Sequence, residues 1–170
     1  LIVVHLIGSH PQPCGRLTEN FDKFIGSRNI SCYIKSIENT DKLLSDIAAM
    51  AGQEHQRWTM AYFSDHGLLF TDKGTENTNL THGDSMKQNF QVPFFITAFD
   101  AQSQNRITHF RSGLSMLPLL SQWMGIKEAR LDNHCDWLRD TQCAGQKSVV
   151  NFKNELKSFD SLPEDNLVLP

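Results

Sequence analysis

Trp58-Thr59-Met60-Ala61-Tyr62-Phe63-Ser64-Asp65-His66-Gly67 is the stretch on which the fold of this chain turns. Its first six residues mix aromatic, β-branched and small apolar side chains, which suits a short buried strand. The strand stops at Ser-Asp-His-Gly. A carboxylate and an imidazole on consecutive residues converge on one point if the backbone turns sharply, and Gly67 permits that turn at low steric cost. Oxygen and nitrogen donors of this kind suit zinc or manganese, so Asp65 and His66 are candidate metal ligands. The plainer alternative is an aspartate that caps the turn beside a histidine bonded to backbone. Thr81-His82-Gly83 then sets a second histidine beside a glycine, and Gln91-Val92-Pro93-Phe94-Phe95-Ile96 opens another apolar strand.

Upstream, Leu1-Ile2-Val3-Val4-His5-Leu6-Ile7 is almost continuously apolar. Such a run suits a strand covered on both faces, as in a parallel sheet, with His5 a core histidine within it. Gly8-Ser9-His10-Pro11 ends the run. Pro11 and Pro13 forbid a helix, so His10 is expected on a loop at the strand's C-terminal edge, where open α/β sheets bind ligands. Over residues 33–51 the period changes. Ile34, Ile37, Leu44, Ile47, Ala48 and Ala51 share one helical face, and Gly52 is a plausible stop. Strand, helix, strand predicts a βαβ unit with a parallel pair. On that topology His10 and Asp65-His66 leave one sheet edge, and His82 folds back over it. All four then lie within roughly 10 Å, because each ligand reaches a zinc over about 2 Å.

The rest of the chain supplies organisation. Residues 11–31 read as a polar loop with one helical turn near 21–24, and residues 68–89 as a loop long enough to be functional. A strand is expected over 92–98. Ser115 is expected to cap a helix that tolerates Pro118 in its first turn, buries Leu117, Leu120, Trp123 and Met124, and stops at Gly125. A short strand over 148–152 and an extended tail over 162–170 follow.

The chain has 170 residues, 39% hydrophobic and 21% charged, and a net charge of −3. That is one globular domain's worth of chain. With no basic cluster it offers nucleic acid no electrostatic footprint. No apolar run approaches the ~18 residues of a membrane span, and residues 1–7 lack a basic leader and a cleavage site. The opening Leu1 leads straight into a strand pattern, as a piece of a longer protein would. Four cysteines in polar stretches suggest two disulfides and an oxidising compartment. Three pairings are open, and proximity favours Cys14–Cys32 and Cys135–Cys143.

Ser64-Asp65-His66-Gly67, a loop, His82-Gly83, then Gln91-Val92-Pro93 and an apolar strand resemble the sulfatase-like branch of the alkaline phosphatase superfamily. The membrane-bound bacterial phosphoethanolamine transferases are the most similar group. Gly8-Ser9-His10 looks like their Gly-Ser-His loop, and Tyr33, Ser36-Ile37 and Thr40-Asp41 look like their helix start. The resemblance covers about residues 1–126. It implies a three-layer αβα sandwich with a largely parallel sheet, of which residues 1–170 form the C-terminal part of a single catalytic domain. The upstream half and a transmembrane region would lie outside this chain.

The implied chemistry is phosphoryl transfer through a covalent intermediate, with zinc as cofactor. Asp65 and His66 match metal ligands, and His10 and His82 match histidines that contact the phosphoryl group or a second zinc. The family's threonine nucleophile and a ligating glutamate have no counterpart here; Thr71, Thr75, Thr78 and Thr81 lie in the wrong segment. The implied reaction moves phosphoethanolamine from phosphatidylethanolamine to an envelope glycan or lipopolysaccharide. Its place is the periplasmic face of the bacterial inner membrane. The chain departs from the pattern at Pro11, at Tyr33-Ile34-Lys35, and at Leu68-Leu69, where a glutamate usually follows Asp-His-Gly. A sulfatase or phosphodiesterase of the same superfamily, or a non-catalytic periplasmic binding domain, are the rival readings.

Overall fold

The computed structural model describes residues 1–18, 23, 25–54, 57–131, 134–143 and 147–168. The chain forms two compact units, Leu1–Asp100 with Glu164–Pro170, and Ala101–Pro163. The helical turn expected near residues 21–24 falls largely outside the described residues.

In the first unit, helix α1 (Arg28–Gln53) begins five residues before the apolar period does. The reason is a cap. Ser27 has extended backbone, and its hydroxyl accepts from Ile30 N at 3.3 Å while donating to Thr78 O at 2.6 Å. A serine cap of this kind contributes about 1 kcal/mol. Here it also ties the helix start to the segment that carries the site. Gly52 does not stop the helix, which runs one residue further. The expected Cys14–Cys32 disulfide is present, with Cα atoms 5.0 Å apart, and fastens the 3-10 turn Pro13–Arg16 to the N-terminal part of α1.

Strand β1 (Thr59–Phe63) lies where the sequence places it, but it pairs antiparallel with β4 (Phe94–Ala98), Thr59 opposite Ala98 and Phe63 opposite Phe94. The ribbon is only half-buried, with Phe63 and Phe95 exposed. Two strands alone cannot cover both of their faces.

Residues 1–7 are not a strand, and the parallel pair expected between them and β1 does not form. Leu1, Ile2 and Val3 are more than four-fifths exposed, and His5 is exposed rather than a core histidine. A strand exists only through a neighbour that takes its N–H and C=O groups, and among the described residues none does. Every sheet among the described residues is an antiparallel pair.

The region 68–89, expected as a bare loop, contains a hairpin. β2 (Leu69–Thr71) pairs antiparallel with β3 (Asn79–Thr81), and a 3-10 turn, Lys87–Asn89, follows. Leu68 and Leu80 from this region pack with Ile30 of α1, flanked by Tyr33, Ile34 and Phe70. Full burial of each aliphatic chain stabilises by about 1.5–3 kcal/mol. The hairpin therefore sits on the N-terminal end of α1.

The second unit holds α2 (Met116–Trp123) and the antiparallel pair β5 (Ser148–Val150) and β6 (Leu156–Ser158). Gly125, at φ 69°, ends α2 as expected. Ser115 makes no side-chain cap, and Ser112 instead caps the 3-10 turn Gly113–Ser115 that leads in. Leu117 and Met124, expected on the buried face, are exposed. The Cys135–Cys143 disulfide is present. The buried Trp137 lies under the Arg111 guanidinium, 5.7 Å from the ring centre. No described helix is long and apolar enough to cross a membrane.

Candidate functional site

β1 delivers the chain to Ser64, whose N–H donates to Pro93 O at 3.3 Å and so extends the β1–β4 ribbon by one bond. The turn is then built locally. The Ser64 hydroxyl donates to His66 O at 2.9 Å, and His66 N–H donates to the Asp65 carboxylate at 3.0 Å. Gly67 N–H donates to Asn89 O at 2.8 Å. A Cβ on Gly67 would run into the Gln88 carbonyl. Gly67 is thus required by close approach of backbone to backbone.

His66 Nδ1 lies 2.9 Å from Gly67 O. A carbonyl oxygen only accepts, so Nδ1 carries a proton, and in the neutral ring Nε2 keeps its lone pair. Nε2 lies 3.9 Å from Asp65 Oδ1. Two ligands on one tetrahedral zinc, each at about 2.1 Å, are separated by about 3.4 Å. A backbone carbonyl that fixes the tautomer of a ligating histidine is the usual arrangement around zinc. The Asp65 side chain is 84% exposed, open to whatever approaches the corner.

His82 leaves β3 directly after Thr81. Its ring stacks on His66 with centres 3.8 Å apart and planes 19° apart. The His10 ring meets His66 edge-on at 6.3 Å. All four residues singled out in the sequence are therefore brought to one place, although the parallel topology that predicted it is not how they arrive. His10 comes on a segment fastened by the Cys14–Cys32 bond, and His82 on a hairpin.

His82 is held below the ordinary histidine value. Loss of water is the largest cause, followed by the His66 and His10 imidazoles, with Asp65 and Asp84 pulling the other way. His82 is an exposed residue, so the dehydrated part of it is the ring face stacked on His66. The neutral form is favoured.

Arg16 was not legible as part of this group. Its Nη2 lies 3.4 Å from His10 Nδ1. A guanidinium only donates, so His10 Nδ1 accepts and the neutral ring carries its proton on Nε2. Nothing marks one arginine in a polar loop. His109 also has a partner that the sequence hid, since Asp140 takes its N–H and its Nδ1 at 2.9 and 2.7 Å in the second unit.

The donor set of Asp65 and His66 suits zinc in kind. In number it is incomplete, since among the described residues no three His, Cys, Asp or Glu side chains are grouped to hold a metal ion. A catalytic zinc takes three protein ligands and an open position.

The Sulfatase family model matches residues 1–126. OpgE, a phosphoethanolamine transferase of Escherichia coli, is 34% identical over 165 residues, covering 97% of this chain and 31% of the relative. A Haemophilus influenzae protein provisionally named as a phosphoethanolamine transferase is 35% identical over 78 residues, 39% of this chain and 16% of the relative. YhbX of E. coli, provisionally named a transferase, is 30% identical over 135 residues, 74% of this chain and 24% of the relative. The chain thus spans about a third or less of the length of these relatives. No solved structure matches.

Proposed function

Since this chain belongs to the sulfatase family, we propose that it carries part of the active site of a zinc-dependent phosphoethanolamine transferase. The reaction is transfer of phosphoethanolamine from phosphatidylethanolamine to an envelope glycan or lipopolysaccharide, at the periplasmic face of a bacterial inner membrane. The names of two relatives support the transferred group, and the two disulfides support an oxidising compartment. The complete domain is proposed to be a three-layer αβα sandwich with a largely parallel sheet, in which residues 1–7 gain a neighbour.

One observation carries the site: His66, with Nδ1 against Gly67 O, holds Nε2 3.9 Å from Asp65 Oδ1 while stacked on His82. Asp65 and His66 are proposed as ligands; the remaining ligand and the threonine nucleophile come from outside this chain. When bound, zinc would polarise a phosphoryl oxygen and acidify a hydroxyl nucleophile. His66 is held for this by Gly67 O. His10, its Nδ1 taken by Arg16, offers an Nε2–H to a phosphoryl oxygen. His82, kept neutral, offers one donor and one acceptor beside it. The Arg16 charge opposes that of the phosphoryl oxygens.

The test uses the full-length protein. It should contain zinc and move labelled phosphoethanolamine from phosphatidylethanolamine to an envelope acceptor, and Asp65→Ala should remove both properties. Sulfate-ester or phosphodiester hydrolysis without transfer would move it to another reaction of the superfamily. Zinc-free, inactive protein that still binds glycan would make it a binding domain.

A further inference from the structure

Residues 164–168, which the sequence presents as a plain tail, run back over the hairpin that carries His82. Asp165 is 3% exposed, and a buried carboxylate is costly unless its oxygens are bonded. Both are. Oδ2 accepts from Phe70 N at 2.6 Å, and Oδ1 accepts from Lys73 Nζ at 2.7 Å. Its own N–H donates to Gln88 Oε1 at 2.8 Å. Beside it, Lys87 pairs with Glu164 at 3.1 Å, and Gly74 N–H donates to Val168 O at 2.8 Å.

These partners lead to the site by two routes. Phe70 belongs to β2, whose residue Leu69 is opposite Thr81, the residue before His82. Gln88 belongs to the turn whose carbonyl fills the space a Gly67 side chain would need, and the next residue, Asn89, bonds Gly67 N. Gly67 follows His66. One carboxylate and one amide N–H thus link the backbone on either side of the His66–His82 stack.

We propose that Asp165 is a positioning residue that fixes His66 and His82 against each other, a role that rests on reading Asp65 and His66 as zinc ligands. It touches neither metal nor substrate. It acts by preventing the Lys87–Asn89 turn from sliding along β2. Ring centres 3.8 Å apart leave little slack for such a slide.

The experiment uses the full-length protein with zinc alone as probe. Asp165→Asn and Gln88→Ala are compared with Lys42→Ala, an exposed side chain on α1 remote from this contact. Two quantities are read: zinc affinity by chelator competition, and hydrogen exchange at the Gly67 amide. Asp165→Asn should weaken zinc binding by about threefold, less than the roughly tenfold that loss of a direct hydrogen-bond partner of a ligand costs, since Asp165 acts through backbone. It should also speed Gly67 exchange. Gln88→Ala should do the same more weakly, and Lys42→Ala should do neither. A folded Asp165→Asn protein with wild-type zinc affinity and wild-type Gly67 exchange overturns the assignment. If Asp165→Asn does not fold, Gln88→Ala decides by the same two readings. If the wild type binds no zinc, the ligand reading fails, and Gly67 exchange alone decides the role of Asp165.

Discussion

Residues 1–7 and β1 are both short apolar runs, and each leads into a turn that holds a glycine and a histidine, yet only β1 is a strand. β1 has β4 to take its backbone groups; residues 1–7 have no such neighbour among the described residues, and Leu1 to Val3 stand in water. Apolar composition makes burial favourable, but only a partner at strand spacing supplies the hydrogen bonds. The two corners are held differently as a result. Asp65 and His66 sit on a turn locked by Ser64, Gly67 and Asn89. His10 depends on a disulfide and on Arg16.

The largest expected difference between the two regions is in chemistry. On the proposed reading, Asp65→Ala in the full-length protein should take transfer to background and empty the proposed zinc site. His10→Ala, which on the proposed reading removes one donor to the phosphoryl group, should lower turnover about 100-fold and leave zinc content intact. Turnover and metal content measured on both variants check this. Equal zinc loss in the two would make His10 a ligand and erase the distinction.

The next difference is in stability. Replacing Cys14 and Cys32 by serine opens an 18-residue separation, for which chain entropy gives about 3 kcal/mol. Denaturant unfolding should show that loss, and His10 should leave the His66 ring while the His66–His82 stack persists. If all three rings separate together, the two corners are one structure.

A smaller contrast lies in the glycines. Gly67→Ala meets the Gln88 carbonyl, a backbone atom that cannot swing away, and should cost about 1–3 kcal/mol. Gly8→Ala meets only Thr40 Oγ1 at 4.0 Å, so its penalty comes from the positive φ of 53°, about 1–2 kcal/mol. Thermal unfolding of both variants orders them. A Gly8 variant that is the more damaged would place the tighter constraint in the N-terminal segment.

The smallest effect serves as a reference from the second unit. Hydrogen bonds from the His109 N–H and ring, and from the Thr108 hydroxyl, hold Asp140 far below the usual carboxylate range. Because its folded pKa is depressed, this stabilisation is present above the ordinary aspartate value of about 4 and is lost as pH falls below it. Asp140→Asn should therefore lower stability at neutral pH and converge with the wild type in acid. A gap that does not close would mean that the bonds, and not the charge, set the effect. The site-bearing unit should be unchanged by this substitution.

The elements legible in the sequence are those written within a few consecutive residues. Ser64-Asp65-His66-Gly67 holds its own turn bonds, the period from Ile34 to Ala51 makes α1, and the nearest cysteines are the bonded ones. Those marked the four candidate site residues and the helix. Leu68, Leu69 and Leu80 carry no alternation long enough to announce β2 and β3, because three-residue strands stand on packing against Ile30 and not on pattern. The antiparallel pairing of β1 was equally hidden, since an apolar run does not name its neighbour. Asp165 bonds residues 95, 92 and 77 positions away. Contacts that distant leave no mark on local sequence, so only the tertiary structure could decide them. The sequence determined which side chains are candidates for the chemistry, because that depends on residue type and on short-range turns. The tertiary structure decided how they meet, because that depends on which backbone groups found partners.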